Sequence, residues 1–464
     1  MKIALVRYHD NGNVNTRLPA SLNRVRGVLP PLGIAYLAAY LLQQGHVVDL
    51  IDAPAEGLSR DAYRQRLESF KPDLVGVTAM TSTFEGSLEA ARIAKETGAT
   101  VVLGGAHLSA YPAESLSFDY VDFAIIGDGE IPLAGLATSL EKGAPFAEIP
   151  GLVYKDGGRV VNNGPYIQMD LSVLPSPAYH LLPLNRYTSL ISSSKVATLI
   201  SARGCPFKCG FCYHQPTDDH YRMIEPMRVV DEMEMLVKKY GMREIMFYDD
   251  TLTMNREHIV KICHEIIRRK LKVRWESPSR IDRVDTELLT LMAKSGCFRI
   301  RFGVESGNEN ILKLMNKRIT LKQVEAVFGD CRKIGIETFA YFIVGYAREN
   351  AKTMRDTIDF AKKINPAYVM FTIATPYPFT HLYALAEEQK LVDANYWRDF
   401  TLGKRKDRLP YFVPDAEDWI RTAYREFYFR PSYVLRSLLS VRSLQKLKNG
   451  IVTAWGLLWF RVVE

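Results

Sequence analysis

Cysteine is scarce in this chain, with six in 464 residues. That excludes a disulfide scaffold and points to a reducing compartment. The opening MKIALVRYHD reads directly as a strand and lacks the basic, apolar and small-residue succession of a secretory signal, so a cytoplasmic location is expected. Repeats and low-complexity segments are absent. No G-x-G-x-x-G fingerprint follows the first strand, which counts against an ordinary dinucleotide fold. A large excess of one charge is also missing. The formal net charge of +8 is modest for this length and gathers toward the C-terminus, so nucleic-acid binding is not expected. What the chain does have is apolar side chain, 47% of its residues, enough for more than one core because single cores rarely grow past about 250–300 residues.

The first part alternates β-rich runs (KIALVRY, HVVDLID, DLVGVTAM, ATVVLGG and DFAIIGD) with helical patterns such as GIAYLAAYLLQQG. Strands that are apolar on both faces, separated by helices, predict an α/β architecture. Residues 1–148 are expected to form an N-terminal doubly wound, Rossmann-like parallel sheet with its ligand at the carboxyl ends of the strands, beside Thr78, Gly104, Gly105, Gly127 and Gly129. Residues 149–195 weaken into a small hairpin at YKDGGRVVNNGP and a proline-punctuated run, and read as a surface connector. A second series (VATLISA, EIMFYDD, VRWES, FRIRFGVES, TFAYFIVG, YVMFTIATPYP) predicts a partial (βα)6 TIM-type barrel over 196–400, with its active site at the C-terminal ends of the strands. Residues 401–464 are expected as a helical, basic and aromatic C-terminal region.

Three of the six cysteines, Cys205, Cys209 and Cys212, crowd into RGCPFKCGFCY just after VATLISA. The other three, Cys263, Cys297 and Cys331, are dispersed and read as small buried hydrophobes. Thiolates are the soft ligands that iron–sulfur clusters require, and three of them on a four-iron cubane leave one iron open for chemistry. Gly204 and Gly210 let the backbone wrap closely, while Arg203 and Lys208 supply positive charge near an anionic cluster. A structural zinc site is the competing reading, with a fourth ligand from His214 or His220. Zinc usually takes four ligands in pairs, and the spacing of the first two cysteines is wide for a zinc knuckle. A plain electron carrier would complete four-cysteine ligation.

This loop resembles the hallmark of the radical S-adenosylmethionine (SAM) superfamily, three cysteines after the first barrel strand. The resemblance implies that Cys205, Cys209 and Cys212 hold a [4Fe–4S] cluster, that SAM chelates its open iron, and that reductive cleavage yields a 5′-deoxyadenosyl radical. It also implies that Tyr213 lies near the adenine and that Asp249 and Asp250, in FYDDTLT, meet the methionine amino group. A helix cap after a strand explains the same two aspartates. Arg280 matches the place for the methionine carboxylate, Glu305-Ser306 the ribose-contacting position, and Gly345 a close backbone approach at adenine. Arg280, Glu305 and Ser306 also read as satisfied polar residues at strand ends.

The sequence is more particularly similar to the cobalamin-binding branch, which includes class B methyltransferases and the anaerobic magnesium-protoporphyrin IX monomethyl ester cyclases. The resemblance runs over about residues 1–400, through PPLG at 30–33, Thr78, GGAH at 104–107, GDGE at 127–130, the barrel and the proline loop PYPFT at 376–380. It implies cobalamin in the first domain, with His107 beside Gly104 and Gly105 as a further candidate contact. The Asp-x-His-x-x-Gly element that coordinates cobalt from below in many cobalamin domains is absent. The methylthiotransferase branch would need extra cluster cysteines before residue 205, and there are none. The implied activity is methyl transfer to an unactivated carbon of a lipid, pigment or other secondary metabolite. A cyclisation or oxidative rearrangement is the alternative, and a non-catalytic cluster-bearing electron carrier or sensor is the reading from another class. A reductase, flavodoxin or ferredoxin is the implied electron donor.

In the tail, Val434, Leu438, Val441 and Leu444 recur at helical spacing, with Arg436, Arg442, Lys446 and Lys448 for the other side, before the apolar run IVTAWGLLWF. That run is shorter than the roughly 20 residues that span a bilayer. Two readings stand: an interfacial helix against anionic lipid, peripheral to the membrane, or helices that cover the open side of the barrel.

Overall fold

The computed structural model describes residues 1–9, 27–164, 168–189, 195–213, 220–405, 407 and 409–439. They fall into two compact units, the described parts of 1–15, 30–186 and 393–408, and those of 16–29, 187–392 and 409–464.

In the first unit, β1 (Lys2–Arg7), β2 (Val47–Asp52), β3 (Leu74–Thr78), β4 (Thr100–Gly104) and β5 (Phe123–Ile125) pair in parallel in the order β2-β1-β3-β4-β5. Ile3, Leu5, Val75, Val77, Val101 and Leu103 are buried, as a sheet covered by helices on both faces requires. The order reverses between β1 and β3, the switch point beside which ligands of open α/β sheets bind. The sheet continues past residue 148. A hairpin of β6 (Leu152–Asp156) and β7 (Arg159–Asn162) adds antiparallel to β5 and protects that edge. Residues 393–408 also pack into this unit, although the sequence divides them between barrel and tail. Trp397, Phe400 and Thr401 of the short helix Tyr396–Thr401 are buried, and Phe400 lies 6.5 Å from the ring of Phe84. Such burial depends on distant partners, which local spacing does not reveal.

The second unit holds six parallel strands in chain order: β8 (Val196–Leu199), β11 (Glu244–Phe247), β12 (Arg274–Ser279), β13 (Cys297–Glu305), β14 (Glu337–Val344) and β15 (Tyr368–Ile373). Between β8 and β11, β9 (Ala202–Arg203) and β10 (Arg222–Met223) form a two-residue antiparallel ladder. Adjacent parallel strands need a crossover for each step, and capped helices supply most of them. Thr320 and Gln323 form a capping box at helix Leu321–Ile334, and Gly335, at φ +91°, ends it. Along β13, Ile300, Phe302 and Val304 are fully buried, with Phe302 against Phe328 of that helix at 5.5 Å. The alternate face carries Arg299, Arg301, Gly303 and Glu305, so the strand turns charge away from its helices.

The edge strand β15 is closed by helix Ala416–Tyr428. Tyr424 Oη accepts from the Phe371 N–H at 3.2 Å and donates to the Phe371 carbonyl at 3.1 Å. Tyr428 does the same for Val369 at 3.0 and 2.8 Å. Arg430 donates to the Lys362 carbonyl and Arg436 to the Pro366 carbonyl. The described part of the tail therefore covers the barrel edge, and these two arginines bind it. Leu438, Val441, Leu444 and the run at 451–460 lie outside the described side chains. Among the described residues, no helix is long and apolar enough to cross a membrane.

Candidate active site

The cysteine loop leaves β8 and is fastened along its length. Asp249, buried at the end of β11, accepts from the Ser201 N–H at 2.6 Å and from Ser201 Oγ at 2.5 Å, which ties two strand ends together where the loop begins. Gly204, at φ +92°, turns the chain into Cys205. Asn316 Nδ2 donates to the Lys208 carbonyl at 2.6 Å. The Gly210 N–H donates to the Met315 carbonyl at 2.9 Å, and the Gly210 carbonyl accepts from the Leu382 N–H at 2.8 Å, in the first turn of helix His381–Glu388. A Cβ at Gly210 would stand 2.9 Å from Tyr346 Oη and 3.3 Å from His381 Cδ2, so a larger residue there would have to displace these side chains. The Cys212 N–H then donates to the Cys209 carbonyl at 3.0 Å and turns the third thiol back toward the others.

Burial raises the Cys205 thiol pKa, and the charges of Asp250 and Cys209 add to the rise while Arg280 opposes it. Cys212 keeps solvent-accessible surface, yet the protein atoms around its sulfur push its thiol up to about 12. Cys209 adds to the rise, with smaller additions from Glu305 and Cys205, while Lys317 opposes it. The three thiols thus feel one another's charge, and a bound cationic group is what would hold all three as thiolates. Arg280 Nη1 stands 3.6 Å from Cys209 Sγ, a donor suited to an anionic cluster. Among the described residues, no three His, Cys, Asp or Glu side chains form a cage for a single metal ion, so the fit to a cluster rests on the three thiols of this loop.

Several residues expected to touch SAM serve the protein itself. Arg280 stacks its guanidinium 3.6 Å over Phe207, pairs with Asp282 at 2.8 Å and donates to the Lys317 carbonyl at 2.7 Å. Its donors hold the cysteine loop, as the reading of a satisfied polar residue at a strand end has it. Asp249 is likewise occupied by Ser201, and burial pushes its carboxyl up to about 7 against the hydrogen bonds from Ser201 and Ala202. Ser306 is fully buried against Thr357 Oγ1 at 3.2 Å and accepts from the Asn308 N–H, so it builds a turn. Gly345 takes φ +74°, and a Cβ there would meet Ala416 Cβ first, at 3.2 Å, so its close approach is to the C-terminal segment. Asp250 remains exposed near Cys205, and Tyr213 is half-buried.

Glu305 is unusual in another way. It takes φ +70° at a register shift between β13 and β14, and its Oε1 accepts from Lys317 Nζ at 2.7 Å in a buried ion pair. A Cβ on Gly303 would fall 2.2 Å from that oxygen, so glycine makes room for the pair. Positive φ at a non-glycine residue costs energy, and the buried ion pair to Lys317 helps to hold it here. Sequence reasoning missed Lys317, and with it Tyr221, Tyr346 and Glu349. Tyr221 Oη, Tyr346 Oη and Glu349 Oε1 are buried without a hydrogen-bond partner among the described residues. Burial pushes the Glu349 carboxyl up to about 7 against the N–H groups of Tyr346 and Gly345. None of the four lies in a local pattern, and burial without a partner is visible only in three dimensions.

In the first unit, Gly105 takes φ +108°, and a Cβ there would strike the Ala79 carbonyl oxygen at 2.5 Å, whereas one at Gly104 would meet nothing within 4 Å. The end of β4 therefore presents bare backbone to open space, which fits a bulky planar group. Gly129 packs on Leu37, the Gly127 N–H donates to Ser109 Oγ at 3.4 Å, and the Thr78 carbonyl accepts from Ser87 Oγ at 3.0 Å. His107 is fully buried, with Nδ1 3.2 Å from Thr81 Oγ1, Nε2 3.1 Å from Thr401 Oγ1 and its ring 4.0 Å from Phe84. Burial lowers its pKa to about 3. His107 is thus packed and hydrogen-bonded within the first unit itself.

The Radical SAM superfamily matches residues 199–361 and the B12 binding domain matches residues 20–137. A protein of Pyrococcus horikoshii described as an uncharacterized methyltransferase is 33% identical over 90% of this chain and 92% of its own length. The chain belongs to the B12-binding radical SAM family. Within that family, the anaerobic magnesium-protoporphyrin IX monomethyl ester cyclase of Rubrivivax gelatinosus is 30% identical over 93% of this chain and 79% of its own length. A solved radical SAM methyltransferase of Kitasatospora setae, with cobalamin and a [4Fe–4S] cluster bound, superposes with a TM-score of 0.68 at 22% identity over 84% of this chain and 75% of that one, a likeness of fold. Membership makes the chain a radical SAM enzyme whose cofactors are a [4Fe–4S] cluster, SAM and cobalamin.

Proposed function

We propose that this B12-binding radical SAM enzyme transfers a methyl group to an unactivated carbon of a small molecule, a lipid, pigment or other secondary metabolite. The observation that carries the reading is one chain with a fastened three-thiol loop at the end of β8 and bare glycine backbone at the end of β4. When bound, the cluster supplies the electron that cleaves SAM, and cobalamin supplies a carrier for the methyl group. For the protein's part, Cys205, Cys209 and Cys212 hold the cluster while Arg280 steadies Cys209. Asp250, with Tyr213 nearby in sequence to the cysteines, offers the carboxylate for the methionine ammonium, and Glu305 stands at the ribose position, held by Lys317. Thr78, Gly104, Gly105, Gly127 and Gly129 frame the cobalamin surface. Relatives named as methyltransferase and as cyclase both align over most of the chain, which supports methyl transfer as the main reading and keeps cyclisation or oxidative rearrangement as the second.

The enzyme works in the cytoplasm with a reductase, flavodoxin or ferredoxin as its donor, and the basic, apolar composition of residues 440–464 supports contact with a membrane surface. Incubating anaerobically reconstituted enzyme with SAM, cobalamin, reductant and an extract of a deletion strain tests the reading. S-adenosylhomocysteine formed together with 5′-deoxyadenosine is the expected result. Deoxyadenosine alone would move the assignment to the cyclase type, and no cleavage of SAM at all to an electron carrier or sensor.

A further inference from the structure

Tyr346 follows β14 by two residues and is fully buried in an apolar cluster with Ile311, Met315, Leu382 and Leu385. Its Oη is out of reach of solvent and has no hydrogen-bond partner among the described residues. A buried hydroxyl is ordinarily paired, because leaving it unpaired forfeits its hydrogen bonds to water. The surroundings say where the partner belongs. Tyr346 Oη lies against Gly210, between Cys209 and Cys212, 2.9 Å from where a Cβ there would stand. A tyrosine hydroxyl keeps its proton at neutral pH, so this oxygen is a donor. The atoms missing around it are acceptors, and thiolate sulfur is what this loop offers.

We propose that Tyr346 donates a hydrogen bond to the sulfur of the cluster bound by Cys205, Cys209 and Cys212, and thereby raises its reduction potential. The proposal rests on the assignment of that cluster to those cysteines. Hydrogen bonds to cluster sulfur stabilise the more negative, reduced form, and they are among the levers that set the potential of a given cluster type. Arg280 supplies a second donor, at Cys209, but its remaining N–H groups are bound to Asp282 and the Lys317 carbonyl, so it also fastens the loop. Tyr346 has no other hydrogen-bond partner to lose. It is a positioning and tuning residue, since it acts on the cluster rather than on SAM or substrate.

The test is an EPR-monitored redox titration of the reconstituted full-length enzyme and its Tyr346→Phe variant, matched for iron and sulfide content. Phenylalanine keeps the ring and its packing and removes only the donor. We expect the variant's equilibrium constant for one-electron reduction to fall about tenfold, a midpoint lower by about 59 mV. Pulsed EPR of the reduced wild-type cluster should show an exchangeable proton coupling that disappears in the variant, and its presence in wild type is measurable even if the variant does not fold. An unchanged midpoint, or no such proton in the wild-type spectrum, would overturn the proposal. So would a folded variant that cannot hold its cluster, which gives Tyr346 a role in packing the loop instead. Wild-type enzyme that assembles no cluster would overturn the cluster assignment itself.

Discussion

His107 and Tyr346 are both fully buried ring residues just past the ends of parallel strands, and the protein treats them in opposite ways. In the first unit each nitrogen of His107 has a hydroxyl neighbour, one of them from Thr401, nearly three hundred residues away in sequence. At the mouth of the barrel Tyr346 Oη, Tyr221 Oη and Glu349 Oε1 are left without partners among the described residues. A satisfied buried polar group has its explanation within the fold, whereas an unsatisfied one calls for another, such as a bound group or an ordered water. On the reading proposed above, bound groups account for the three at the barrel mouth, and protein neighbours account for His107.

The strongest way to break this contrast is at the thiols. Cys209→Ser should lose cluster iron and bring SAM cleavage to background while far-ultraviolet circular dichroism stays unchanged, and retained iron would remove the basis of the site. Next in size is the buried pair beside it. Lys317→Met leaves Glu305 as an uncompensated buried carboxylate and should lower unfolding free energy by about 3–5 kcal/mol in denaturant titration. An effect below about 1 kcal/mol would mean that water reaches the pair and that the strain at Glu305 has another cause.

The two regions should also respond to pH with opposite sign. His107, about 3 when folded against 6.5 ordinarily, contributes stability that is present above pH 6.5 and lost as pH falls toward 3. Asp249 and Glu349, each about 7 when folded against 3.8 and 4.5, contribute stability that is present at acid pH and lost as pH rises through 7. Each group carries on the order of 3–5 kcal/mol over its full window. Over pH 4.5–6.5 the two carboxyls outweigh the one imidazole, so melting temperatures of the cluster-free protein should fall as pH rises from 4.5 to 7 and level off above. His107→Gln should steepen that fall with cobalamin affinity held within about twofold, and Asp249→Asn should flatten it. A large fall in cobalamin affinity in His107→Gln would restore that residue to the ligand surface. The smallest effect is at the barrel edge, where Tyr428→Phe removes one donor and one acceptor from Val369 and should cost about 1 kcal/mol. No change there would show that packing, not hydrogen bonding, closes β15.

Much of the fold was legible because its signals are local. Strands buried on both faces must be continuously apolar, as in DLVGVTAM, and one with a polar face alternates, as in FRIRFGVES; glycines and capping residues punctuate what lies between, so both parallel series could be read. The added hairpin at β6 and β7 was visible as a turn, but its pairing with β5 was not, because β pairing is decided by distant chain. The return of residues 393–408 to the first unit escaped for the same reason.

In the site, the three cysteines were legible because cluster ligation on one loop imposes a spacing. The roles of single polar residues were not. Asp249, Arg280 and Ser306 stand where SAM contacts were expected, yet their side chains hold Ser201, the cysteine loop and a turn. Composition and spacing alone thus determined two parallel α/β units, a three-thiol loop and a glycine-lined strand end, because each of these is written in neighbouring residues. Only the tertiary structure decided which buried polar groups are satisfied and which await a partner, because that depends on side chains such as Thr401, Lys317 and Tyr346, brought in from far along the chain.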